Sequence, residues 1–392
     1  MGFDKLCLCY IVICGFTYSG GYAQTIDPGT QTDGKQSNNI QTAVPFLLIS
    51  PDARSAAMGD AGVAISPDIN AIHWNGAKLA NLENTTGLAI SYTPWLRKLV
   101  PDVDLAYLAG YYRLDDRNTV GASLRYFSLG VIQLVDANQT DLGTYNPNEL
   151  AVDGTFARKF GDNFSLGTTV RYIRSSLSSG QFYSGQDTKP ANALAADVSA
   201  YIKNQTILFG KDAEVAFGAN ISNIGTKVSY VEGGQKYFLP TNMRLGGAAT
   251  FLLDDLSEFT VALDFNKLLV PTSPERDAGG NIIRGKDPDR SVPAGIFGSF
   301  SDAPGGFSEE IHEINSSIGA EYLYNKQFTV RAGYFYEHPT KGDRQYFSLG
   351  LGLRYNVFNL DFAYLLANQQ ESPLANTLRF SLVFNFKSGN KK

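Results

Sequence analysis

The feature that most constrains this chain is a two-residue alternation that keeps its charges in one phase. In Leu378-Arg379-Phe380-Ser381-Leu382-Val383-Phe384-Asn385-Phe386 every even position is apolar, while Arg379, Ser381 and Asn385 occupy odd ones. Phe347, Leu349, Leu351, Leu353 and Tyr355 alternate with Ser348, Gly350, Gly352 and Arg354. Phe358, Leu360, Phe362 and Tyr364 alternate with Asn359, Asp361 and Ala363, and Val120, Ala122, Leu124 and Tyr126 with Gly121, Ser123 and Arg125. Successive side chains of a strand point to opposite faces, so each segment has one apolar face. Arg125, Arg171, Arg244, Arg331, Arg354 and Arg379 fall mid-strand in the polar phase, as do Asp197, Asp264, Glu321 and Asp361. A basic side chain facing lipid at mid-depth costs roughly 2–4 kcal/mol. In a membrane barrel these charges must therefore face the lumen, and their mixed signs predict ion pairs there. A soluble sandwich with a solvated polar face is the rival reading; no two-sheet signal accompanies the alternation.

Spacing favours the barrel. Strands are expected near 86–93, 104–112, 118–127, 150–159, 164–175, 193–203, 213–222, 241–253, 258–267, 314–324, 327–337, 345–355, 358–366 and 375–386. The connections Leu114 to Arg117, Gly161 to Asn163, Asp254 to Ser257, Asn325-Lys326 and Asn356-Val357 are short and rich in turn residues. Between them lie the long segments 128–149, 176–192, 223–240 and 268–313. Short periplasmic turns opposite long extracellular loops are the pattern of an outer-membrane barrel. The fold expected is an all-β, antiparallel transmembrane barrel of about fourteen strands, residues 86–386, with a tail at 387–392 and both termini periplasmic. The connection at 204–212 is longer than that pattern predicts.

Composition agrees. The chain of 392 residues has 12% aromatic side chains and 39 Gly, suited to strands, tight turns and interfacial girdles. Mean hydropathy is −0.14, and past the first residues no apolar run reaches the ~18 residues a membrane helix needs. A net charge of −5 argues against a general nucleic-acid binder. At the start, Lys5, the apolar stretch Leu6 to Phe16 and Gly21-Tyr22-Ala23 make a secretory signal, residues 1–23. A lipoprotein signal through Cys14 is the rival, with Ile13 where a small residue is wanted. Cys7, Cys9 and Cys14 all lie in this segment, so the processed chain carries no thiol or disulfide.

Residues 24–85 form a leader and a plug. The stretch 24–40 is polar, whereas Ser50-Pro51-Asp52 starts a short helix over Ala53 to Met58 that Gly59 ends. A helix this short finds a place in a barrel's mouth or lumen. There Arg54 can reach one of Asp197, Asp264, Glu321 or Asp361. The run Ser50-Pro51-Asp52-Ala53-Arg54-Ser55-Ala56-Ala57-Met58-Gly59-Asp60-Ala61-Gly62, with Ala71-Ile72-His73-Trp74-Asn75-Gly76-Ala77-Lys78-Leu79 after it, resembles the start of the PorV (LptO) family. That family has Asn-Pro where this chain has Asn75-Gly76. The resemblance implies a FadL-like barrel of fourteen strands with an N-terminal plug, in the outer membrane, working in type IX secretion. It also implies partners: the SprA/Sov translocon barrel, secreted cargo with a conserved C-terminal domain, the surface complex containing the PorU sortase, and outer-membrane lipid.

Chemistry is not legible. His73, His312 and His338 make no metal-ligand spacing and no nucleophile–base pair, so no cofactor, metal or catalytic residue is assigned. Asp277, Asn281, Asp287 and Asp289 in the longest loop match no calcium-loop pattern and read as solvated. Trp95, Val270, Ile282, Ile283, Ile296 and Phe297 are candidate partner-facing anchors. Two functions from different classes remain: a protein-binding shuttle of the secretion system, and a FadL-type channel for hydrophobic solutes. An adhesin barrel is a third. The polar lumen phase leans against a solute pocket.

Overall fold

In the computed structural model, residues 37–94, 102–135, 141–177, 182–183, 186–277, 279–367 and 377–386 are described. The signal, Trp95 and the tail at 387–392 lie outside them. Fourteen strands form one closed antiparallel barrel. They are β1 (Thr86–Pro94), β2 (Val103–Arg113), β3 (Asn118–Leu129), β4 (Asn148–Phe160), β5 (Phe164–Ser176), β6 (Ala191–Leu208) and β7 (Lys211–Gly225). There follow β8 (Asn242–Leu252), β9 (Ser257–Leu268), β10 (Ile314–Tyr324), β11 (Phe328–Tyr336), β12 (Gln345–Tyr355), β13 (Phe358–Ala367) and β14 (Thr377–Phe386). Each strand pairs with its sequence neighbours, and β1 closes on β14 through Thr86↔Phe386 to Tyr92↔Phe380. Closure leaves no unpaired edge, which a lipid environment demands.

The alternation is the wall's inside–outside code. Phe347, Leu349 and Leu351 are 59%, 52% and 59% exposed, while Ser348 between them is 1% exposed. The unexplained connection at 204–212 resolves simply. β6 and β7 run on to Leu208↔Lys211, leaving a two-residue turn of Phe209 and Gly210. Both have positive φ, 53° and 74°, as a tight primed hairpin turn requires, though Phe is not a residue from which such a turn is read. One irregularity breaks the β6–β7 ladder between Ala196 and Val198. There Asn223 takes φ 61° and its N–H donates to Asp197 Oδ1 at 2.8 Å.

The long connections gather at one end. Three of them carry small hairpins: Ile132–Val135 with Asp141–Tyr145, Phe182–Tyr183 with Gln186–Asp187, and Glu275–Arg276 with Ile282–Arg284. The longest, after β9, also carries two short helices, Val292–Gly298 and Phe307–His312. Lys267 is in the outward phase of β9, and its Nζ contacts Glu310 at 3.0 Å and Glu313 at 2.6 Å. Those buried pairs draw the second helix over the outer rim of the wall. Thr272 Oγ1 donates to Glu313 at 2.6 Å and Lys341 reaches the same carboxylate at 3.0 Å, tying the loop after β11 into the same cluster.

Candidate functional site

The lumen is occupied by the segment that precedes β1. It enters at the long-loop end: Asn38 N–H donates to Thr340 O at 2.9 Å, its Nδ2 to Ser273 O at 3.2 Å, and Ala43 N–H to Phe238 O at 2.9 Å. It leaves at the short-turn end, where Asn81 Nδ2 donates to Ser165 Oγ at 2.9 Å and Arg113 to Glu83 O at 2.9 Å. The strand count alone placed both ends of the chain with the short turns. That count omits this extra crossing, so the first described residues stand with the long loops.

Between those ends the plug folds on its own caps. In α1 (Ala53–Ala57) the N-cap is Asp52, whose Oδ2 accepts the Ser55 N–H at 2.8 Å. Pro51 thus precedes the cap instead of opening the helix. Asp52 Oδ1 also accepts the Trp74 indole N–H at 2.7 Å, fastening α1 to α2 (Ala71–Trp74). A 3-10 turn follows over Gly76–Asn81. Lys78 is buried, and its Nζ donates to Gly62 O at 2.7 Å. The wall accommodates this compact segment by lacking side chains where it presses closest. A Cβ on Gly333 would stand 2.1 Å from Gly59 N, and one on Gly167 2.4 Å from Ala77 N. Gly59 itself needs φ +67° and lies against the Tyr334 backbone, so two independent constraints require glycine there.

Several of the wall's charges fasten the plug, and others brace them from strand to strand. Arg54 Nε and Nη2 donate to Glu321 at 3.1 and 2.9 Å, and Nη1 to Asp68 at 3.0 Å. Glu321 also accepts from Arg331 at 2.6 Å, which in turn reaches Asp361 at 2.6 Å. Asp264 accepts the Gly62 and Val63 N–H groups at 2.7 and 2.8 Å. Arg244 lies over the Trp74 ring at 4.8 Å. Arg379 donates to Ser50 O at 2.7 Å and lies 3.9 Å from Asp60, which accepts the Tyr346 hydroxyl at 2.5 Å. Met58 lies against Gly319. On the opposite wall Arg171 bridges Asp153 at 2.6 Å and Asp197 at 3.1 Å, and also bonds Asn223. Arg125 donates to Leu47 O at 3.0 Å and to His73 Nδ1 at 2.9 Å. Hydroxyls contribute too: Ser348 accepts Gly59 N–H, Ser381 Ala53 N–H and Ser199 Ala77 N–H, each at 2.9 Å.

Sequence parity brings these charges into one interior. Arg354 is near the short-turn end of β12, not mid-strand, and with Glu214, Glu258, Glu321 and the plug's Ser66 it lines a cavity of about 170 Å³ below the plug's ion pairs. Parity also marks Asp153, a further inward charge, since Leu150, Val152 and Phe156 flank it in the apolar phase. Asp68 and Lys78 carried no periodic signal, because the plug is neither a regular helix nor a strand.

The proposed anchors divide. Ile283 is 60% and Phe297 80% exposed on the longest loop, whereas Val270 is 1% exposed. Val270 is therefore no surface anchor: it follows β9 directly and is packed into the loop's base. Ile282 and Ile296 are half-buried. Phe307, which the sequence did not single out, is 79% exposed. Asp277 accepts the Gly279 and Asn281 N–H groups at 2.9 and 2.8 Å, capping its turn. Among the described residues no group of three or more metal-capable side chains converges. His312 and His338 stack at 3.6 Å. Burial pushes the Asp302 carboxyl, between the two loop helices, up to about 6, with Thr272 N–H and Arg290 opposing.

Among solved structures the chain is similar to the Ralstonia pickettii toluene transporter TbuX, at 14% identity over 86% of this chain and 98% of that one, TM-score 0.48. It is similar also to a Pseudomonas aeruginosa FadL homologue, at 11% over 89% and 100%, TM-score 0.45. A third is the P. putida toluene transporter TodX, at 11% over 86% and 99%, TM-score 0.47. Likenesses this distant say nothing of what this chain binds. No curated protein sequence matches it. A family model described as "Type IX secretion system protein PorV" matches residues 32–275. That match spans more than half of the 392 residues, and this outer-membrane barrel therefore belongs to the PorV family of the type IX secretion system.

Proposed function

We propose that this barrel is a non-enzymatic shuttle. In this reading it associates with the SprA/Sov translocon, accepts cargo bearing a C-terminal secretion signal, and delivers it to the surface complex containing the PorU sortase. The long loops face outside and the short turns the periplasm. The observation that carries the reading is the filled lumen. A bore occupied by the segment between Ala43 and Asn81, and fastened to strands on every side, leaves the outer surface as the place to receive a protein.

The long-loop end supplies such a surface. Ile283 and Phe297 are apolar and exposed there, within a rim of polar side chains, the anatomy of a partner-binding patch. A specific interface buries about 800 Å² per partner, on the order of 20–30 residues a side. Loop 268–313 with one neighbour is large enough; no short turn is. The test replaces residues 272–290 by a Gly-Ser turn. A folded barrel that no longer retains translocon or cargo supports the shuttle. Full partner retention with reduced uptake of a hydrophobic solute sinks it in favour of the channel.

A further inference from the structure

The outer wall carries a feature that the shuttle function does not use. On strands β6 to β9 the lipid-facing phase is interrupted by small residues: Ala200, Ala219, Gly247 and Ala249. Around them Phe217, Leu245, Leu263 and Phe265 stand proud, 43–60% exposed. The result is a slot of about 740 Å³ with an almost wholly apolar lining. A second hollow, about 730 Å³, begins at the same Leu245 and Phe265 and continues toward the long-loop end. It is roofed by Phe300, Phe307 and Ile311 of the overhanging loop. Each volume is in the range of roughly 300–1,000 Å³ typical of small-ligand pockets.

Polarity along this groove is ordered by depth. The lower part faces the bilayer core and offers no charged side chain. Lys267, Glu310, His312 and His338 appear only under the roof, at the rim of the barrel. An amphipathic ligand with a long apolar tail and a polar head matches that order. The width selects a chain over a protein surface, because the flanking Phe and Leu side chains would hold another barrel's wall away from the small-residue floor. The charges select the head. Lys267 is already paired with two acids, Glu310 and Glu313, so the one lysine under the roof is neutralised, with no surplus of cations for a polyanionic head.

We infer that this groove is a binding site for one outer-membrane phospholipid with a zwitterionic head, its acyl chain lying across Gly247 and its head beneath the loop helices. The roof explains why a loop at the membrane rim carries Phe300 and Phe307 outward: they sit at interfacial depth, where aromatic side chains are favoured.

The test uses the full chain, reconstituted in nanodiscs of phosphatidylethanolamine containing lipid A, then transferred to lipid-free detergent and weighed by native mass spectrometry. A Cβ on Gly247 meets only ordinary contacts, the nearest at 3.5 Å from Phe217, so Gly247→Phe fills the slot without straining the wall. The control is Ala332→Phe, which adds the same ring to another lipid-facing position. One retained phosphatidylethanolamine, reduced at least about tenfold by Gly247→Phe and unchanged by Ala332→Phe, is the result expected. Equal retention in both variants, retention of lipid A in its place, or loss from Gly247→Phe of a co-purified membrane protein with phospholipid unchanged each overturns the assignment. Heat-modifiable migration of both variants keeps misfolding from mimicking lipid loss.

Discussion

Removing Arg54 should open the plug and spare the barrel. Arg54→Ala deletes five hydrogen bonds: two to Glu321, one to Asp68 and two to Ser66. The side chains of Arg54 and Glu321 are only 5% and 6% exposed, so solvent does not screen the pair. Breaking a buried ion pair costs about 3–5 kcal/mol, because the remaining charge is stranded. Glu321 would not be fully stranded here, since Arg331 stays 2.6 Å away. The lower end, about 3 kcal/mol, therefore applies. At about 1.4 kcal/mol per tenfold that multiplies the open population of the plug by roughly 150. The readout is a thiol at Ser55, which is 1% exposed and becomes reachable only when the plug moves. In detergent, maleimide labelling of Ser55→Cys should accelerate on the order of a hundredfold when Arg54→Ala is added, while strand circular dichroism and heat-modifiable migration stay unchanged. A labelling rate within about threefold of the parent would show that Arg54 does not hold the plug.

Leu351→Arg puts a charge on a side chain 59% exposed to lipid and should lower assembly by roughly 2–4 kcal/mol. Ser348→Arg should assemble but displace the plug, because Ser348 Oγ holds Gly59 N–H; equal assembly yields with an undisturbed plug would refute the inside–outside code. A thiol at Asn39 should be labelled from the same side of intact membranes as one at Asp287 in the longest loop, and one at Asn325 from the other; Asn39 grouping with Asn325 would refute the threaded plug. Asp302 titrates near 6 in the folded loop against an ordinary 3.8. The folded loop therefore holds this proton more tightly, and the group's contribution to stability, full below pH ~4, is lost as pH rises to about 6. Loop 268–313 should resist protease better at pH 5 than at pH 7, and Asp302→Asn should reduce that difference; an undiminished difference in the variant would exclude Asp302 as its source.

The wall was legible along the chain. Strand period, turn spacing and the phase of Arg125, Arg171 or Asp264 are local facts, and a barrel in lipid leaves those charges only one face to occupy. The ends of β6 and β7 escaped because Phe209-Gly210 is not a turn that composition announces. Which charge meets which is settled by packing in three dimensions. Arg54 was equally placed along the chain for Asp197, Asp264, Glu321 or Asp361; the path of an irregular plug chose Glu321 and gave Asp264 two backbone N–H groups instead. The same holds for Val270 and Phe297, both apolar residues of one loop. One is packed away and the other exposed because Lys267 pulls the loop helices over the rim, a contact between residues more than forty positions apart. Periodicity reports which face a side chain takes, but loops and plugs have no period, so their contacts are fixed only when the chain closes on itself.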